Sequence, residues 1–335
     1  MRRKKLLEGA FPAVAIAVLA GLVGASPAGA AGDAVEYSVV QRFALGGAGK
    51  WDYTAIDDRG QRLFVTRGDH VEVLDAQSGK SLGVITGTDG VHGVALDPAR
   101  GVGFTSNGKS DTVTEFALDT LAVRRQIPVG GKKPDAILLD TAGKRLITMN
   151  GASSDLSVLD PETGAIVRRI ALPGRPEYAV LQGAHLFVNL EDTGFLVKVD
   201  LDAGKVLQAW KLPDCEEPTG LALDAQRGRL FSVCANARLV VTDAGSGRNV
   251  ASLPIGEGAD AVIYDAGRQR IYSSNGKSAT LTIVVQRDAD HYSVVQTLAT
   301  ALGARTMALD AASGRIYLPT PNGGDFAVLV VAPVR

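Results

Sequence analysis

One phrase recurs along this chain and constrains its fold more than any other feature. AIDDRGQRLFVT (55–66) returns as ALDPARGVGFTS (95–106), LLDTAGKRLITM (138–149), ALDAQRGRLFSV (222–233), IYDAGRQRIYSS (263–274) and ALDAASGRIYLP (308–319). A degenerate copy, VLQGAHLFVN (180–189), fills the gap and carries Gln182 where the others carry aspartate. The anchors Asp57, Asp97, Asp140, Gln182, Asp224, Asp265 and Asp310 follow one another at intervals of 40 to 45 residues. Seven units of that length leave no room for a second domain.

Within a unit the apolar residues alternate with period two, which is the spacing of strands. The third unit reads AILLD, a turn TAGK, RLITMN, a loop GASS, DLSVLD, a turn PETG and AIVRRIAL. That makes four strands joined by short turns. A lone four-stranded sheet buries too little apolar surface, so successive units must stack face to face. Four strands per ~40–45 residues is the propeller spacing. The expected fold is all-β: a seven-bladed β-propeller with four-stranded antiparallel blades, forming one domain over residues 31–335.

The pentapeptide YSVVQ stands at Tyr37–Gln41 and again at Tyr292–Gln296. The second copy is the fourth strand of repeat six, whereas repeat seven supplies only three strands before the chain stops. The first copy lies six repeat lengths upstream and fills the missing slot. The N-terminal strand is therefore expected to close the ring as the outer strand of the last blade, with Tyr37–Leu45 antiparallel to Phe326–Val331.

Residues 1–30 are a separate matter. A basic MRRKK, an apolar run and Ala28-Gly29-Ala30 follow the pattern of a secretory leader, so the mature chain is expected to begin near Ala31 in the periplasm or outside the cell. A formal net charge of −1 gives no general attraction to nucleic acid or to an anionic membrane. The two cysteines, Cys215 and Cys234, have the option of a bridge in such a compartment, and no CxxC or CxxCH motif is present. The four histidines never fall at a metal-site spacing.

LFVTRG, GFTSNG, LITMNG, LFVNLE and IYSSNG, each after a D..G.R-type turn, resemble the YVTN-type repeats of YncE-like β-propellers, although the literal word YVTN is absent. The likeness spans nearly all of the chain beyond the leader. It implies the propeller fold. It implies little about function beyond a minor precedent for binding single-stranded DNA, because propellers host binding, scaffolding and catalysis alike.

Superposing the repeats locates the site. The loop into the first strand and the loop between the second and third strands rim the mouth of the central channel. Equivalent slots there hold Asp52, His92, Asp135, Glu177, Thr219, Asp260 and Arg305. The second loops add Asn107, Asn150, Asn189, Glu191 and Asn275, together with Lys109 and Lys277 of two Asn-Gly-Lys turns. A monomeric, exported binding module is expected, taking a small polar ligand or a protein partner at this acid-rich mouth. No cofactor is required, but Ca²⁺ or another divalent metal would suit Asp135, Glu177 and His92. The alternative is a metal-dependent hydrolase or lactonase using the same groups. No Ser-His-Asp set or G-x-S-x-G elbow is available for metal-free hydrolysis, and an acidic mouth disfavours nucleic acid.

Overall fold

The computed structural model describes residues 35–57, 59, 61–321 and 325–334. The leader expected over residues 1–30 and the mature start near Ala31 lie outside them. The described residues form seven four-stranded antiparallel sheets. Blades 1 to 6 each take four consecutive strands, spanning 54–85, 91–128, 134–171, 176–211, 218–254 and 259–299. Among the described residues no helix is long and apolar enough to cross a membrane.

Blade 7 is assembled from both ends of the described chain. Strand β1 (Glu36–Ala44) is its outer strand, followed inward by β28 (Ala327–Val334), β27 (Arg315–Thr320) and β26 (Ala308–Asp310). The β1–β28 register runs from Glu36 opposite Val334 to Ala44 opposite Ala327, so the pairing reaches three residues past the expected Val331. The inward faces of β1 serve both neighbours. Tyr37 packs into the cluster shared with blade 6, where its hydroxyl meets that of Tyr272 at 2.6 Å, and Phe43 packs into the cluster shared with blade 1.

Seven apolar clusters hold the ring, one between each adjacent pair of blades. This is what period-two strands dictate: each sheet has two apolar faces, and only a neighbour on both sides buries them. In six of the seven blades the turn after the first strand is held by the anchor aspartate, whose carboxylate accepts the backbone N–H of Gln61, Arg100, Gly143, Arg227, Arg268 or Ala312; blade 4 has Gln182 there. These residues are structural. Cys215 and Cys234 are joined in a disulfide that ties the loop entering blade 5 to the end of its second strand.

Candidate functional site

The innermost strand of blades 2 to 6 does not pair evenly with its neighbour. In each, the ladder breaks directly after the first residue: between Val91 and Val94, Pro134 and Ile137, Pro176 and Ala179, Pro218 and Leu221, and Ala259 and Ala261. His92, Asp135, Glu177, Thr219 and Asp260 occupy those breaks. A bulge re-aims the side chain it carries. Here it turns one residue per blade toward the axis.

The bulged backbone is then locked from the preceding blade. Ser106 Oγ accepts the Gly93 N–H and donates to the Asp135 carbonyl. Asn189 Nδ2 donates to the carbonyls of Thr219 and Gly220 at 3.0 Å each, and Thr219 Oγ1 donates to that of Ala259. Ser274 Oγ donates to the Arg305 carbonyl, and Thr306 Oγ1 to that of Asp52. Ring closure and site geometry are thus the same set of bonds.

The side chains converge as the repeat superposition predicts. His92 Nδ1 lies 2.5 Å from Asp52 Oδ2 and 3.5 Å from Asp135 Oδ1. Arg305 stands 3.5 Å from Asp260 and 3.8 Å from Asp52, with its guanidinium near the Trp51 ring. Tyr53 Oη donates to Glu177 at 3.3 Å. The ring thus gathers four carboxylates around one arginine and one imidazole. Asp52, His92 and Asp135 offer ligand atoms that all lie within 4.8 Å of one another, the geometry a cation would need. Glu177, expected beside His92 and Asp135, is held instead by Tyr53.

Crowding shows in the protonation of these groups. Burial first, then the Asp52 charge, pushes Asp135 up to about 6. Burial likewise raises Asp260 to about 7, with Arg305 only partly opposing it. Glu177 lies well above the usual carboxylate range through burial and the charges of Asp135 and Asp260. Burial pulls the His92 imidazole down, but its bond to Asp52 and the Asp135 charge more than offset this, and it titrates above its ordinary value. Like charges brought together out of water hold protons until a cation replaces them.

The other expected site residues divide. Glu191 stands at the mouth, ion-paired to Arg175 at 2.8 Å, and its charge adds to the field on Glu177. Asn107, Asn150, Asn189 and Asn275 are fully buried. The Asn107 amide bonds Thr105, Thr112 and Thr114; Asn150 bonds Thr148, Asp155 and Ser157; Asn275 bonds Ser273, Thr280 and Thr282. Asn107, Asn150 and Asn275 end their second strands and stitch their own blades, while Asn189, one residue before the end of its strand, bonds Thr219, Gly220 and Ser232 of the next blade, so the structure places none of the four side chains in the mouth. Two tyrosines escaped the sequence reading. Tyr53 and Tyr178, next to Asp52 and Glu177 in sequence, pack with ring centroids 5.3 Å apart. With Asp260, Val94, Ile137 and Met307 they line an axial cavity of about 250 Å³ that runs on from the ring.

No family model matches the chain, and no curated protein matches it. A solved structure does. Hydrazine synthase of Kuenenia stuttgartiensis superposes with a TM-score of 0.74 over 87% of this chain and 96% of that one, at 16% identity. The fold is that of a β-propeller. At such low identity the likeness carries the fold and no further property.

Proposed function

We propose that the protein is a binding module whose ligand places a positive charge on the acid ring of Asp52, Asp135, Glu177 and Asp260. The observation that carries this reading is the convergence of four carboxylates on one arginine and one histidine, with Asp135 raised to about 6, Asp260 to about 7 and Glu177 well above the usual carboxylate range. An ammonium group or a divalent cation entering the ring relieves that repulsion, and the tyrosine-lined cavity beneath accepts a short apolar extension. The protein works outside the cytoplasm in this account; the Cys215–Cys234 bond supports an oxidising compartment. The repeats remain best read as YncE-like, with the buried asparagine after the second strand as their hallmark.

A second reading has its own support. Asp52, His92 and Asp135 form a two-carboxylate, one-imidazole set, which suits a divalent ion that activates water, and a hydrolase would follow. Elemental analysis of the purified protein, with thermal melts in Ca²⁺, Mn²⁺, Zn²⁺ and ethanolamine, separates the two. Stabilisation by ethanolamine in metal-free protein supports the binding module. A stoichiometric metal, with no response to the amine, supports the hydrolase.

A further inference from the structure

Above the acid ring, on the side of blades 1 and 2, the mouth opens into a cleft of about 940 Å³. Asp52 and His92 form part of its wall, so cleft and ring are one continuous space. The rest of that wall is mainly of opposite sign: Lys50, Arg67, Lys109, Lys133 and Arg305 line it with Trp51, against one further carboxylate, Asp69, which is bonded to His70. Lys50 and Lys133 form no ion pair among the described residues. Lys109 meets only Asp89, in a pair that both side chains leave largely in water and that is worth little. Arg67 is 6% exposed, held over the Phe326 ring and bonded to Glu72, yet its Nε has no hydrogen-bond partner.

One of these lysines sits in a strained backbone position. In blades 2, 3 and 6 the residue preceding the bulged strand is Gly90, Lys133 and Gly258, and all three have positive φ, as does Glu217 at the same place in blade 5. Glycine is forced in blades 2 and 6, because a Cβ there would strike the following loop's lysine, with Lys109 N at 2.7 Å and Lys277 N at 2.9 Å. Blade 3 inverts the arrangement. Ala152 stands in the lysine's loop position, and Lys133 takes the first-loop position at φ 54, where glycine would be unstrained. Each of these blades therefore presents one lysine at the mouth by whichever loop sterics allow. Gly108 completes the cleft. A Cβ on it would lie 2.7 Å from His92 Nε2 and 3.4 Å from the Lys133 stem, so this residue brings the imidazole and the lysine to the two sides of one gap.

We propose that this cleft is an oxyanion subsite and that the ligand is zwitterionic, its carboxylate or phosphate lying against Lys50, Lys109 and Lys133 while its ammonium sits on the acid ring. The inference rests on the acid-ring reading for the ammonium half and on the lysine cleft for the anionic half. Charge-assisted hydrogen bonds from Lys50 and Lys133, and from Lys109 once it leaves its exposed pair with Asp89, would supply the extra affinity.

Calorimetric titration of metal-free protein with four probes tests it: phosphoethanolamine, γ-aminobutyrate, ethanolamine and inorganic phosphate. At least one zwitterion is expected to bind about tenfold or more tightly than ethanolamine. Whichever of the two wins identifies phosphate or carboxylate as the anion. The variant Lys109→Ala/Lys133→Gly is expected to remove that advantage, leave ethanolamine binding no weaker, since a positive charge acting on Asp135 is lost, and melt no lower than the parent, since glycine relieves the φ 54 strain. Zwitterions binding no better than ethanolamine, or an advantage that survives the lysine substitutions, would overturn the subsite while leaving the acid ring standing. Lysine-dependent binding of phosphate with no binding of ethanolamine would sustain the subsite and refute the ammonium site instead.

Discussion

The side-chain amide of Gln296 grips the main chain of Tyr37 with both of its ends: Nε2 donates to the Tyr37 carbonyl at 2.7 Å, and Oε1 accepts the Tyr37 N–H at 2.9 Å. These are the last residue of one YSVVQ and the first residue of the other. The outer strand of blade 6 thus holds the outer strand of blade 7 across the closure, where the two ends of the propeller meet. The amide satisfies an edge-strand N–H and C=O that no further β-strand reaches.

Replacing Gln296 with alanine is expected to destabilise the protein by about 1–2 kcal/mol, the worth of two such bonds in a half-buried setting. Deleting residues 31–45 should do far more, since it strips Tyr37 and Phe43 from two blade clusters and exposes β28 as an edge. Urea melts read the first effect, and light scattering on heating reads the second. A deletion variant as stable as the parent would show that the strand does not close the ring.

Asp135 makes stability fall with pH. Its folded value, about 6, lies above the 3.8 of an ordinary aspartate, so the native state binds its proton more tightly than the unfolded chain does. The penalty therefore grows as pH climbs from about 4 to about 6 and stays constant above that. Asp135→Asn should match the parent near pH 4 and exceed it at pH 8 by about 1–3 kcal/mol, compared by denaturant unfolding at both values. An equal difference at the two values would mean that the carboxylate is not held in its protonated form by the ring.

His92 should respond to a methyl group it does not carry. Gly108→Ala places a Cβ against the imidazole and pushes it off Asp52, at a cost of about 1–3 kcal/mol for overpacking. Because the bond to Asp52 raises the His92 value, its contribution to stability is fully present below pH about 6.5 and lost as pH rises through the folded value. The cost of Gly108→Ala should accordingly be larger at pH 5.5 than at pH 8.5. NMR titration of the imidazole should also show its value falling toward that of a free histidine. An unmoved titration would place the ring clear of Gly108.

Much of this was legible in the sequence because symmetry does the work that contact prediction cannot. A residue five positions before the anchor is unremarkable in any one repeat; seven superposed repeats bring Asp52, His92, Asp135, Glu177, Asp260 and Arg305 to one axis. The same logic failed for the asparagines. Asn107 and Asn275 precede glycine, which reads as a tight hairpin turn, but each closes its strand and turns its amide inward to two threonine hydroxyls. Periodicity alone does not distinguish a mouth residue from a strand terminus one position away. Tyr53 and Tyr178 went unread because only two blades carry tyrosine at that position, and their partnership across the channel has no repeat signature. Lys133 was equally silent: its meaning lies in a positive φ that a sequence does not display.

Reduction of the Cys215–Cys234 bond should cost stability without touching the ring chemistry. The bond spans 19 residues, for which loop entropy predicts about 3 kcal/mol. Melting in reductant should therefore shift downward, while ligand affinity at room temperature should stay within a factor of about two. A collapse of affinity on reduction, with the fold retained, would tie the bridge directly to the site.

The central claim is that the acid ring is where the ligand's positive charge lands, and isothermal titration of ethanolamine into the parent and into Asp135→Asn/Glu177→Gln, both metal-free at pH 6, where the raised carboxyls still hold protons, tests it most directly. The account predicts saturable binding by the parent, proton release on binding as the raised carboxyls ionise, and no detectable binding by the double amide variant, whose melting temperature is equal to or above that of the parent. Equal affinity in both proteins, or binding by the parent without any proton release, would contradict it.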